Sequence, residues 1–169
     1  MRPTPAEYNP YFERYISLVL VDKVVPILVS QVTPLRELLR NLSDDRAGFR
    51  YEPGKWSVRE SLGHLIDTER VFGYRALWAA RGCTEALPGF EQNDFTVVAK
   101  HDSCAIGELV DEFTALRESH IHMFNHLPTE AWARSCTAGG NPLSVRAAAF
   151  IMAGHLIHHT AIFQERYGL

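Results

Sequence analysis

The sequence predicts an all-α protein, a bundle of four long helices preceded by a short N-terminal helix. Four separate stretches carry apolar residues at a spacing of three and four, the pattern of amphipathic helices. Proline and glycine fall between these stretches, where they end helices, and no alternating strand pattern accompanies them. Neither a repeat nor a linker interrupts the 169 residues, so we predict one domain over residues 1–169.

The first helices are weakly marked in the sequence. Residues 10–20 carry aromatic and aliphatic residues at helical spacing and predict the short N-terminal helix. An apolar stripe over residues 26–41 predicts the first long helix, in which Pro34 signals a kink or a break. The β-branched run Val19–Val25 has no partner strand elsewhere, so no strand is predicted there.

The second long helix has the clearest start signal in the chain. Ser57 and Glu60 match a capping box, in which each side chain bonds the other residue's backbone amide. Gly82 is a suitable stop, and a helix is therefore predicted over residues 57–81. Residues 83–102 contain proline and glycine and predict a loop.

The remaining two helices are also bounded by local signals. The third is predicted over residues 102–126, ending before a Leu-Pro pair, and a second loop follows over residues 128–140. Asn141 is a good N-cap and Pro142 is favoured at a first helical position. The last helix is therefore predicted over residues 142–166.

Composition excludes several classes of protein. The 46% hydrophobic and 22% charged residues are ordinary for a globular domain, and a net charge of -3 without basic clusters argues against a nucleic-acid-binding protein. No apolar run approaches the roughly 18 residues of a membrane span. Cys83, Cys104 and Cys136 are odd in number and widely spaced, which predicts free thiols in a cytoplasmic protein.

Three histidines on apolar helix faces predict a metal site. His155 and His159 are separated by four residues, so their imidazoles lie about 40° apart around the helix axis and point the same way. His64 lies on the apolar stripe of the second long helix. Burying imidazoles without partners costs on the order of 1–3 kcal/mol per polar group, and a shared ion removes that cost. We therefore predict one divalent ion held by His64, His155 and His159.

Other polar residues have two interpretations each. His158 could be a further ligand, but its angular offset favours the bundle edge. Glu60 could be a ligand or a general base, or only the capping partner of the second long helix. Asp67 could orient a ligating histidine, or be a solvated carboxylate. His122 and His126 form a rival pair, but their polar neighbours indicate an exposed face.

The same residues carry a family resemblance. The pattern W-S-x-x-E-x-x-x-H-L-x-D over residues 56–67, followed far downstream by G-H-L-I-H-H at residues 154–159, resembles the DinB-like superfamily. The resemblance covers most of the chain and implies a four-helix bundle with a long crossover connection, usually a homodimer. It also implies a divalent metal ion, often nickel or zinc, held by His64, His155 and His159. Some relatives resemble thiol transferases that use bacillithiol, mycothiol or glutathione, and others were described as metal-dependent hydrolases or have no known activity.

Three protein ligands would leave an open coordination position, the mark of a catalytic rather than a structural site. The first hypothesis is therefore an S-transferase that uses a low-molecular-weight thiol and a small-molecule substrate. The alternatives are a metal-dependent hydrolase, a non-catalytic bundle that binds metal or a small ligand, and a relative with an empty site.

Two further expectations concern the surface. The predicted loop at 83–102 should contribute to the wall of a substrate pocket through Phe90, Gln92, Asn93 and Asp94. The apolar run Val19–Val25 and the short N-terminal helix are more hydrophobic than the outside of a small bundle should be, which predicts a two-fold homodimer.

Overall fold

The computed structural model describes residues 1–169, and most of them are helical. The α-helices are α1 (Glu13–Ile16), α2 (Val24–Ser30), α3 (Val32–Leu39), α4 (Asp44–Ala47), α5 (Val58–Ala80), α6 (Gln92–Ala99), α7 (Ile106–Asn125) and α8 (Val145–Glu165). Two short strands, β1 (Ser135–Ala138) and β2 (Asn141–Ser144), pair antiparallel. Short 3-10 turns lie at Pro5–Glu7, Pro10–Phe12, His101–Ser103 and Thr129–Ala133.

Four long helical segments form the bundle. Helix α5 packs against α7 and α8. Helices α2 and α3 together occupy the remaining corner of the bundle, where both contact α7 and α2 also contacts α8. The α2–α3 segment and α5 are therefore diagonal to each other, as are α7 and α8. The connections over residues 40–57 and 126–144 each cross the bundle, and the predicted bundle with a crossover connection is confirmed.

The core has two parts, which meet along α5 and α8. The larger is built around Phe72 and Phe150, and the smaller around Phe113 and Phe163. Small residues at the start of α8 allow neighbouring segments to approach its backbone closely. No helix combines the length and apolar character that crossing a bilayer requires.

The break predicted in the first long helix is present but displaced. Gln31 ends α2 and starts α3. Pro34 lies in the first turn of α3, where backbone N–H groups have no partner within their own helix. Proline therefore removes no hydrogen bond of α3 at this position. The Gln31 side chain instead bonds across the bundle, its Nε2 donating to the carbonyl of Ala153 at 2.8 Å. The break follows Ser30, whose carbonyl cannot receive a helical bond from Pro34 four residues later.

Two boundary predictions were wrong. The stretch predicted as a loop over 83–102 contains α6, which begins with Glu91 accepting a bond from the Asn93 amide at 3.1 Å. Asn141 and Pro142 lie in β2, and α8 is capped instead by Ser144, whose hydroxyl accepts from the Ala147 amide at 3.0 Å.

The strand pair was not predicted at all. Its turn is formed by Gly139 and Gly140, whose φ values of 56° and 77° are the positive angles of a two-residue type I′ turn. This glycine pair is the local signal for the hairpin, and the strands flanking it are too short for a visible alternation.

Candidate metal centre

His64 lies on α5, and a capping box fixes the N-terminus of this helix. The Ser57 hydroxyl accepts from the Glu60 amide at 3.0 Å, and the Glu60 carboxylate accepts from the Ser57 amide at 2.9 Å. Glu60 also pairs with Arg50 and is not part of the histidine cluster. The structure therefore shows Glu60 in its capping role, one turn before His64.

The three predicted histidines converge in the bundle interior. Possible ligand atoms of His64, His155 and His159 all lie within 4.8 Å of one another. Nε2 of His64 and Nε2 of His155 are 3.0 Å apart. The three residues are only 4%, 5% and 7% exposed, so the cluster is shielded from solvent.

The cluster has the features that a metal ion requires. Two nitrogens about 2.0–2.1 Å from one ion lie roughly 2.9–3.4 Å apart, a range that includes the separation of the two Nε2 atoms. Nδ1 of His159 is buried and has no hydrogen-bond partner. Burial lowers the pKa of His64 to about 4. Burial, reinforced by the neighbouring imidazoles, lowers the pKa of His155 and of His159 well below the usual value. All three are neutral at pH 7, which is the form that binds metals.

Two aromatic rings hold the histidines in place. The Trp56 ring packs on His64 with centroids 4.8 Å apart, and the edge of Tyr15 meets His155 at 5.0 Å. Tyr15 can approach because residue 154 is glycine, since a Cβ there would lie 2.0 Å from the Tyr15 carbonyl oxygen. Sequence reasoning does not assign Tyr15 or Trp56 to the site, although Trp56 begins the motif at residues 56–67 and Gly154 permits the approach of Tyr15.

The other candidate residues lie outside the cluster. His158 is partly exposed and packs against Tyr15 at 5.4 Å, as expected for the bundle edge. His122 and His126 are exposed, with ring centroids 6.3 Å apart. Asp67 makes no hydrogen bond to a cluster histidine, and its nearest charged partner is Arg70 at 4.0 Å. Burial raises the pKa of Asp67.

A buried ion pair lies next to the cluster and was not predicted. Nε and Nη2 of Arg117 donate to the two carboxylate oxygens of Glu69 at 2.8 and 2.9 Å, and both residues are almost fully buried. Nη1 of Arg117 donates to Gln31 at 2.8 Å, and Nη2 lies 3.4 Å from the Met152 carbonyl. Together with the bond from Gln31 to Ala153, these contacts hold α8 against α5 and α7 just before His155.

Two cavities reach the cluster. The first, which we call the aromatic cavity, has a volume of about 280 Å³ and is lined by Tyr11, Phe12, Tyr15, His64, Thr68, Phe72, Phe90, Glu91, Gln92, Ile151 and His155. The second, which we call the lysine cavity, has a volume of about 300 Å³ and is lined by Tyr51, Gly54, Lys55, Trp56, Ser61, Asn93, His159, Ile162 and Tyr167.

The start of α6 and the residue Phe90 before it contribute to both cavities. Phe90 and Gln92 line the aromatic cavity, and Asn93 lines the lysine cavity, so these three predicted wall residues lie at the site. Asp94 is exposed and lines neither cavity.

The fold and this histidine cluster define a class of protein, a helical bundle with a candidate mononuclear metal centre. Residues 30–163 match the family model DinB_2, described as the DinB superfamily. The chain belongs to the DinB superfamily, and the resemblance in its sequence is confirmed.

One solved structure with this fold is YfiT from Bacillus subtilis, a probable metal-dependent hydrolase with an unusual four-helix bundle topology. The two chains share 17% identity over 87% of each, with a TM-score of 0.74, so the likeness establishes the fold. No curated protein has significant sequence similarity to the chain.

Proposed function

We propose that this protein is a divalent-metal enzyme in which His64, His155 and His159 hold the ion. The observation that carries the proposal is the convergence of three buried, neutral imidazoles in the interior of the bundle. A ligand set of imidazole nitrogens suits zinc or nickel. The likeness to YfiT, itself described as metal-dependent, supports the same conclusion.

Within this class we propose a thiol-dependent S-transferase. A bound ion lowers the pKa of a thiol or a water that it coordinates, and so supplies a nucleophile. In the transfer, a sulfur–carbon bond forms, and the leaving group departs from that carbon with the bonding electron pair. The thiol proton passes to solvent. Two separate cavities at the histidines favour a reaction with two substrates.

The chain itself would orient the reactants and exclude water. Trp56 and Tyr15 restrict the imidazole rings, and the Arg117–Glu69 pair positions the α8 backbone that carries His155. Aromatic walls around the first cavity would keep a reacting carbon away from bulk water.

Turnover assays test the proposal and its rivals together. Protein freed of metal and then loaded with zinc or nickel is incubated with 1-chloro-2,4-dinitrobenzene and a panel of low-molecular-weight thiols. We expect the thioether product only when both metal and thiol are present. Metal-dependent cleavage of 4-nitrophenyl acetate without thiol would favour the hydrolase that the YfiT likeness suggests. Metal-dependent thermal stabilisation without either reaction would indicate a binding protein.

We also propose that the protein is a cytoplasmic homodimer. The segment after α1 exposes Leu18, Leu20 and Val21, and α2 exposes Val29, so apolar side chains are open to solvent in the single chain. The three cysteines form no disulfide, as is usual in the reducing cytoplasm. We expect light scattering at tens of micromolar to give the mass of a dimer, and a monomer at that concentration would contradict the proposal.

A further inference from the structure

The two cavities lie end to end along the groove between α5 and α8. One stripe on each helix faces this groove, formed by Ser61, His64, Thr68 and Phe72 on α5 and by Ile151, His155, His159 and Ile162 on α8. Ser61 and Ile162 line the lysine cavity, whereas Phe72 and Ile151 line the aromatic cavity, so the helices run antiparallel. The histidine cluster lies between the cavities, and each cavity reaches it from its own side.

The walls of the two cavities differ in charge. The aromatic cavity has phenylalanine and tyrosine rings on several sides, and its only charged wall residue apart from the histidines is the exposed Glu91. In the lysine cavity the only charged wall residue is Lys55. A cationic group at the mouth of a small cavity favours an anionic ligand.

The positive charge of Lys55 is not neutralised by the protein. Its ammonium group takes part in none of the salt bridges, although its backbone carbonyl accepts a bond from Arg50 at 2.9 Å. Arg50 in turn pairs with Glu60 and Asp102, so the nearby carboxylates already have a cationic partner. Lys55 is left free to pair with a carboxylate that enters the cavity.

The lysine cavity meets the histidine cluster at the end lined by His159. His159 lines the cavity, is 7% exposed, and has a buried Nδ1 without a hydrogen-bond partner. Trp56, which packs on His64, and Tyr167 form aromatic walls between this end and Lys55. A ligand in this cavity can therefore present one group to the histidines and another to the ammonium group.

We propose that the lysine cavity binds a carboxylate-bearing thiol, with its sulfur toward the histidines and its carboxylate at Lys55. The aromatic cavity then receives the apolar part of the second substrate. This inference rests on the proposed thiol-dependent transferase and its metal centre, and it assigns one cavity to each substrate.

The test compares two thiols of the same shape but different charge. Calorimetric titration of the zinc-loaded protein gives dissociation constants for 3-mercaptopropionate and 3-mercaptopropionamide. Because the intrinsic thiol acidities differ, the informative quantity is how the ratio of the two constants changes on mutation. We expect Lys55→Met to reduce the preference for the carboxylate roughly threefold to fivefold, the effect of a solvent-accessible ion pair. Lys23→Met, which removes a charge at the distant start of α2, should leave the ratio unchanged.

Adjacent residues on α6 provide a second, steric test. Asn93→Trp should obstruct the lysine cavity and weaken the binding of both thiols. Gln92→Trp should obstruct the aromatic cavity and leave the binding of both thiols unchanged. Equal effects of the two substitutions would overturn the division between the cavities.

The outcomes separate the two proposals. If the protein contains no zinc after loading, the proposed metal centre is wrong, and this inference is wrong with it. Zinc binding without thiol binding would overturn the thiol-dependent transferase together with the assignment of the lysine cavity. Thiol binding with a ratio that is insensitive to Lys55→Met would overturn only the assignment.

Discussion

His155→Ala is expected to abolish metal binding. His155 is buried in contact with the other two histidines, with its Nε2 atom 3.0 Å from that of His64, so its loss leaves only two ligands. The zinc content after dialysis should fall from about one ion per chain to near zero, since structural and catalytic zinc sites need at least three protein ligands. Thiol-dependent turnover should disappear with the ion.

Thermal unfolding provides an independent measurement of the same loss. An ion at about 100 times its dissociation constant stabilises the native protein by roughly 2.7 kcal/mol, which raises the Tm. The Tm of His155→Ala should therefore not respond to added zinc. The matched control is His122→Ala, which removes an exposed histidine from α7 and should keep both the ion and the Tm shift. One zinc ion retained by His155→Ala would contradict the proposed ligand set.

Arg117→Met is expected to lower the free energy of unfolding by about 3–5 kcal/mol, because it leaves the Glu69 carboxylate buried without its cation. Glu69 is 2% exposed and receives two charged hydrogen bonds from Arg117. Urea unfolding at pH 7 measures the loss. The control is Asp111→Asn, which removes the exposed partner of Arg36 and Arg40 and should cost about 0–1 kcal/mol.

The pH dependence distinguishes an uncompensated charge from lost packing. In the native protein, burial raises the pKa of Glu69, but the Arg117 charge and the bonds from Arg117 and His120 outweigh burial and hold it below the usual value. The pair therefore stabilises the fold above the ordinary glutamate pKa, and the contribution is lost as the pH falls through the lowered pKa. In Arg117→Met the carboxyl should bind a proton more readily, so the deficit should shrink as the pH falls.

A double variant completes this test. Adding Glu69→Leu to Arg117→Met removes the unpaired charge and should recover much of the stability. A deficit that is independent of pH and is not relieved by the double variant would show that packing, rather than charge, causes the loss.

The sequence by itself determined the long helices, apart from the start of α8, and the identity of the clustered histidines. Apolar periodicity and end signals are local properties, and the capping box of Ser57 and Glu60 places the start of α5 to within one residue. Likewise, His155 and His159 face the same way because four residues are about one helical turn. Placing His64 with them also follows from apolar patterning, since apolar faces must meet in one core.

Tertiary structure decided what depends on residues far apart in the chain. The Gln31 side chain at the helix break bonds to the Ala153 carbonyl on α8. Tyr15 reaches His155 only because an N-terminal segment packs across Gly154. No local pattern records such contacts.

The ion pair and the two cavities beside the histidines also depend on residues that are far apart in the chain. Arg117 and Glu69 look like ordinary charged residues of two amphipathic helices until packing buries them against each other. The two cavities, and the different charge of their walls, arise where α6 and the segment before α5 cross the α5–α8 groove. Periodicity determines which face of a helix is buried, but the shape and polarity of the space between helices depend on how those faces meet.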